Sequence, residues 1–197
     1  MKIYFARHGE YQNPDGVNPY QLPGFPLTKN GKEQSLLIAH HLVNTKIRAI
    51  YTSPIERCVE TATIISQTLH LFPNQRVELI ETKTPLQGLT RAVLSKMSEN
   101  YPYDIPAHIE GGGETPEDIF TRMNNFVNLL KATSQSSSYL LVSHGDPITI
   151  FLKGLLEHKI PHLKDDFKVG SIRYIPMGGL VMLDHSQKEI PQYSEII

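Results

Sequence analysis

The chain has 197 residues, 40% of them apolar and 20% charged, with a formal net charge of -1. That length suits one domain, residues 1–197, with its own apolar core, and the near-neutral charge excludes a broad electrostatic surface for nucleic acid or acidic membranes. A single cysteine, Cys58, excludes an internal disulfide and fits the reducing cytoplasm, while no apolar run approaches the roughly 20 residues that cross a bilayer.

Residues 2–6 predict a strand that ends on Arg7-His8-Gly9-Glu10, and Arg7 breaks the apolar run too early for a secretory signal. A polar loop with Pro14, Gly16, Pro19, Pro23, Gly24 and Pro26 leads to Thr28, which can cap a helix to about residue 44 that buries Leu36, Ala39, Leu42 and Val43. Residues 49–52 predict a second strand. It meets Ser53-Pro54-Ile55-Glu56, which reads as a capping box with proline at the first helical position. The helix that follows carries Arg57 in its first turn, and its apolar series Ile55, Cys58, Val59, Ala62, Ile65 and Leu69 makes Cys58 a core residue rather than a nucleophile.

Residues 77–81 predict a third strand and residues 88–99 a helix, followed by a loop with Pro102 and Pro106. Gly111-Gly112-Gly113-Glu114-Thr115-Pro116 opens another helix, capped by Thr115, with Ile119, Phe120, Met123, Phe126, Val127 and Leu130 inside. A polar turn over 133–138 precedes a strand at 139–143, which ends on His144-Gly145, and Asp146-Pro147 opens the next helix. Ser171–Ile175 and Leu180–Leu183 predict a closing hairpin through Met177-Gly178-Gly179. Strands alternating with helices predict an α/β fold: a three-layer α/β/α sandwich around a central, mostly parallel mixed sheet.

Two strands therefore end on histidine followed by glycine, which places His8 and His144 at the carboxyl edge of one sheet, where open α/β sheets bind ligands. Phosphoryl transfer needs an in-line nucleophile, charge neutralisation on the phosphate oxygens and an acid for the leaving group. A partly unprotonated imidazole can attack phosphorus, and the forked donors of Arg7 and Arg57 fit phosphate oxygens in pairs. Arg57 also lies where a helix N-terminus adds positive potential. His144 can donate to the same phosphate or orient His8.

Arg7-His8-Gly9-Glu10, Leu27-Thr28-x-x-Gly31, Ser53-Pro54-x-x-Arg57-x-x-x-Thr61-Ala62, Gly112-Gly113-Glu114-Thr115 and Ser143-His144-Gly145 resemble, in order, the motifs of the histidine phosphatase superfamily, in its phosphoglycerate mutase-like branch. The resemblance implies that His8 becomes phosphorylated and that Arg7, Arg57 and His144 form the phosphate pocket, with Asn13 a further phosphate contact. It implies a general acid at Glu81, in a Leu79-Ile80-Glu81 setting. Asp146 is the rival, because a distant branch places an aspartate directly after the second histidine. The segment Thr82–Gly88 departs from the Phe-Gly-x-Trp-Glu-Gly-like stretch of many family phosphatases, and the chain has no tryptophan. Glu10 reads equally as a pocket carboxylate or a solvated loop residue. Glu114 and Thr115 are accounted for as a helix-start carboxylate and cap.

The implied activity is hydrolysis of a small-molecule phosphate ester without metal or cofactor, and no Cys/His or Asp/His spacing suggests a metal site. Two other readings stand beside it. A mutase would return the phosphoryl group to another oxygen, although family mutases are generally longer, with a tail that shields phosphohistidine. A non-catalytic phospholigand-binding protein would keep the fold without the chemistry.

Overall fold

Alternation along the strands sets the layers. In β1 (Lys2–Arg7), Ile3 and Phe5 point to one face of the sheet while Tyr4 and Ala6 point to the other. β4 (Ser138–Ser143) repeats the division, with Tyr139 and Leu141 on the first face and Leu140 and Val142 on the second. Apolar side chains on both faces require helices on both sides. The second face is covered by α1 (Lys29–Leu42) and α2 (Glu56–Leu69) through Ile38, Ala39, Leu42, Cys58, Ala62 and Ile65. The first is covered by α5 (Pro116–Thr133) and α6 (Gly145–Leu156) through Met123, Phe126, Val127, Ile148, Phe151 and Leu152.

The computed structural model describes residues 1–98, 103–133, 137–162, 164–186 and 192–197. With β2 (Ile47–Thr52), β3 (Pro73–Gln75), β5 (Leu180–Asp184) and β6 (Gln192–Glu195), the described strands form one sheet in the order β3-β2-β4-β1-β5-β6. The β3-β2-β4-β1 part is parallel, and β5 runs antiparallel to both of its neighbours, β1 and β6. The result is the expected three-layer sandwich with a mostly parallel mixed sheet. β1 and β4 lie side by side with Arg7 opposite Ser143, so His8 and His144 leave adjacent strands at the same level.

Several expected elements are corrected. Val77–Leu79 is one turn of 3-10 helix rather than a strand, because side chains from elsewhere take its carbonyls: Arg122 donates to Glu78 O at 2.7 Å and Ser143 Oγ to Leu79 O at 2.7 Å. The third strand is the short β3 instead. Ser171–Ile175 does not pair with β5, whose partners are β1 and β6. Ile172 N is held by Glu157 Oε1 at 2.8 Å, and Ile175 O accepts from Arg7.

The expected helix over 88–99 is α3 (Arg91–Met97), capped by Thr90. The loop expected around Pro106 contains α4 (Pro106–Glu110), with the proline in its first turn. Pro102 and residues 134–136 of the expected turn lie outside the described residues. In α1, Thr28 caps as expected by accepting from Gly31 N. The buried face, however, runs through Gly31, Ser35, Ile38, Ala39 and Leu42, leaving Leu36 and Val43 exposed.

Candidate active site

Backbone contacts fix the first motif. His8 N donates to Ser143 O at 3.1 Å and His8 O accepts from Gly178 N at 3.0 Å, so the residue is clipped between the β4 and β5 ends. Gly9 N donates to Thr61 Oγ1 at 3.1 Å, and Thr61 in turn donates to Arg57 O. A Cβ on Gly9 would lie 2.3 Å from Gly31 O, and one on Gly31 would lie 2.0 Å from Glu10 O. Both glycines are thus needed for the strand-end loop to lie on the first turn of α1.

Four side chains converge above this frame. Arg57, 1% exposed, donates from Nε to His8 Nε2 at 3.2 Å and from Nη2 to Tyr20 O at 2.8 Å and to His144 Nδ1 at 3.1 Å. The two imidazole rings are 5.2 Å apart. His8 Nδ1 faces Gly9 O at 2.9 Å, a pure acceptor, so its proton sits on Nδ1 and the lone pair on Nε2. By the same reasoning His144 presents its Nδ1 lone pair to Arg57 and donates from Nε2 to Ser53 Oγ at 2.8 Å. Burial, reinforced by the Arg57 and Arg7 charges, holds both histidines well below their usual pKa and keeps them neutral.

Glu81 completes the group, with Oε2 3.6 Å from His144 Nδ1 and 3.9 Å from Arg57 Nη2. Its own Oε1 accepts from Thr82 N at 2.9 Å. Burial and the nearby Asp146 charge, opposed by Arg57, raise its pKa to about 7. Asp146 is hydrogen-bonded to two tyrosines. Tyr174 donates to its Oδ1 at 2.8 Å and Tyr103 to its Oδ2 at 2.9 Å, so both oxygens are engaged as acceptors.

Arg7 donates from Nη1 to Ile175 O at 2.8 Å and lies against the Tyr174 ring, 5.1 Å from its centroid. Arg7 Nε and Arg57 Nη1 are buried donors with no acceptor among the described residues. Such groups cost on the order of 1–3 kcal/mol each until an acceptor arrives, and more when charged. A phosphate supplies the acceptors that two guanidiniums lack.

Other sequence candidates fall outside this group. The Asn13 amide closes its own loop, donating to Val17 O at 2.8 Å and accepting from Val17 N. Glu10 Oε2 accepts from Thr28 and Asn30 and so serves the start of α1. Glu114 pairs with Arg122 through both oxygens, and Thr115 caps α5 by accepting from Asp118 N. Cys58 borders the group, its Sγ 3.4 Å from Ser143 O and 3.5 Å from His144 Nε2, but burial pushes its thiol up to about 12. Among the described residues no three His, Cys, Asp or Glu side chains converge as metal ligands would.

Ser53 is corrected. Helix α2 is capped by Ile55 without a side-chain hydrogen bond of its own, and the Ser53 oxygen accepts both from Ile55 N at 3.3 Å and from His144 Nε2 at 2.8 Å. Sequence reasoning missed Ser53, Tyr20, Tyr103 and Tyr174 as parts of this site. The traceable signal was that Ser53 ends a strand beside two others ending on histidine.

The chain is 28% identical over 166 residues to phosphoserine phosphatase 1 of Hydrogenobacter thermophilus, covering 79% of this chain and 76% of that one. It is 28% identical over 156 residues to "Probable phosphoglycerate mutase GpmB" of Escherichia coli O1:K1, covering 74% and 70%. The solved structure of YhfR from Bacillus stearothermophilus shares the fold, with a TM-score of 0.80 at 20% identity over 98% of this chain and 95% of that one. Residues 3–175 match the pattern of the histidine phosphatase superfamily, branch 1, and the chain belongs to that family.

Proposed function

We propose that this chain hydrolyses a small phosphate monoester through a phosphohistidine on His8, without a metal ion, in the cytoplasm. The observation that carries the reading is the pair of buried guanidinium N–H groups without acceptors beside a neutral imidazole whose Nε2 lone pair is free of a proton. A phosphate dianion entering the site draws Arg57 from its resting contact with His8 Nε2, which frees that lone pair for in-line attack. Arg7 and Arg57 neutralise the phosphate oxygens, which is the service a magnesium ion supplies in many other phosphoryl transferases.

The dianion also offsets the two guanidinium charges felt by His144, which can then take a proton on Nδ1 and donate to the phosphate. Glu81, protonated near neutrality, gives its proton to the leaving oxygen and then takes one from the water that cleaves phosphohistidine. Hydrolysis is supported by the likeness to phosphoserine phosphatase 1, and the likeness to GpmB favours transfer to a second hydroxyl as the alternative.

The test is a panel of phosphate monoesters assayed with chelator present, with released inorganic phosphate and isomerised ester measured separately. Release of phosphate by the wild type, loss of turnover in His8→Ala, and an acid-labile phosphoryl group trapped on the wild type are expected. Full activity in His8→Ala, or activity that returns only with a particular metal, overturns the reading; isomerised ester without phosphate release establishes the mutase alternative.

A further inference from the structure

Asp146 lies in the first turn of α6, 2 residues beyond His144, and the chemistry proposed above gives it no part. Its carboxylate nevertheless joins two parts of the site that the sheet does not connect. Its Oδ2 receives the Tyr103 hydroxyl proton, which leaves the Tyr103 oxygen to accept from Thr82 Oγ1 at 3.0 Å. Thr82 is the residue whose backbone N–H grips Glu81 Oε1. On the other side, Oδ1 receives the Tyr174 hydroxyl, and the Tyr174 ring lies against the Arg7 guanidinium. The next residue, Ile175, accepts from Arg7 Nη1.

Gly145 makes the junction possible. A Cβ there would lie 2.3 Å from Tyr174 Oη and 3.0 Å from Arg7 Cζ. Burial, reinforced by the Asp146 charge, raises both tyrosines well above their usual pKa, so each remains a donor.

We propose that Asp146 is a positioning residue of the phosphatase site: through Tyr103 it holds the segment bearing Glu81, and through Tyr174 it holds Arg7. The inference rests on the phosphomonoesterase reading and adds a specific role to a residue outside the reacting atoms. Charge is its second contribution. Glu81 is faced by Arg57 and Cys58 of α2, His144 at the end of β4, Arg7 at the end of β1, Tyr103, Tyr174 and Asp146, and Asp146 is the anion among them that favours the protonated acid.

The test compares wild type, Asp146→Asn, Tyr103→Phe and Tyr174→Phe on an alkyl phosphate over a full pH range. An asparagine can accept from one tyrosine but not from both, and it carries no charge. Asp146→Asn should lose roughly 10- to 100-fold in kcat at neutral pH, and its alkaline limb should move to lower pH by about one unit. Tyr174→Phe should raise KM and Tyr103→Phe lower kcat, with the alkaline limb unmoved because the charge remains.

A pH profile for Asp146→Asn that superimposes on the wild type, with kcat within twofold, would reduce Asp146 to a helix-start carboxylate. If Asp146→Asn does not fold, the Tyr103→Phe/Tyr174→Phe double variant decides: at least a tenfold loss supports the proposal, and wild-type kinetics overturn it. A wild type that releases phosphate from no ester defeats the phosphatase reading and this inference with it, whereas an active wild type with an indifferent Asp146→Asn defeats this inference alone.

Discussion

Replacing Glu81 by glutamine should trade activity for stability, and the structure sets both magnitudes. The Glu81 carboxyl is 14% exposed, and its pKa stands at about 7 against a usual 4.5. Between those two values the folded chain holds a proton that the unfolded chain has released. Stability therefore falls as pH rises, by about 1.4 kcal/mol per pH unit and roughly 3 kcal/mol over the interval. This contribution is fully present below the unfolded value near 4.5 and is lost once pH passes the folded value near 7. Glu81→Gln, which never ionises, should match the wild type near pH 4.5 and exceed it by up to about 3 kcal/mol at pH 8, read from urea midpoints.

Activity should move the other way. General acid catalysis contributes roughly 10²–10⁴-fold, so Glu81→Gln should lose that much on an alkyl phosphate and its alkaline limb near pH 7. A nitrophenyl phosphate, whose leaving group departs unprotonated, should lose less than about tenfold. The acid limb, set by the depressed His8, should remain well below pH 6.5 in both proteins. Equal losses on the two esters, or an unshifted stability difference between pH 4.5 and 8, would refute the assignment of a protonated Glu81 to the leaving oxygen.

Two further perturbations probe the frame around it. Arg57→Lys should cost on the order of 2–5 kcal/mol in transition-state stabilisation, because one ammonium cannot span His8, His144 and a phosphate oxygen as the fork does; steady-state kinetics near those of the wild type would show that Arg57 is structural. Gly31→Ala places a Cβ 2.0 Å from a backbone carbonyl, so the strand-end loop must shift by more than a side-chain rotation allows. It should lower stability by about 1–3 kcal/mol in urea unfolding and impair turnover through displaced His8; an unchanged midpoint would contradict the close packing.

The layers of the fold were legible because they follow from alternation and spacing in strands whose both faces are buried. What escaped were segments whose backbone is held by distant side chains. Val77–Glu81 carries the composition of a strand, yet Arg122 and Ser143 occupy the carbonyls that a neighbouring strand would need. β6 is the reverse case: Gln192-Tyr193-Ser194-Glu195 has little apolar character because it lies at a sheet edge, and only its pairing with β5 makes it a strand. In α1 the choice of Leu36 and Val43 followed residue type. The actual phase is set by Gly31, which must meet Gly9, and the face then continues through Ser35, Ile38 and Leu42.

The candidate site divides along a similar line. His8, Arg7, Arg57 and His144 were readable because each sits at a strand end or a helix start, and parallel strands bring such positions together at one edge. Glu81 was found by its motif setting, although the strand expected to carry it is absent. Ser53, Tyr20, Tyr103 and Tyr174 gave little signal, since each acts on a partner 28 to 91 residues away in the chain through a hydroxyl or a carbonyl. Ser53 shows the ambiguity most plainly. A serine before proline and three residues before glutamate satisfies a local rule for helix capping, yet the same hydroxyl is close to an imidazole that needs an acceptor. The oxygen serves both partners, accepting from Ile55 N at 3.3 Å and from the imidazole at 2.8 Å, and the imidazole link is the one that a local rule could not show.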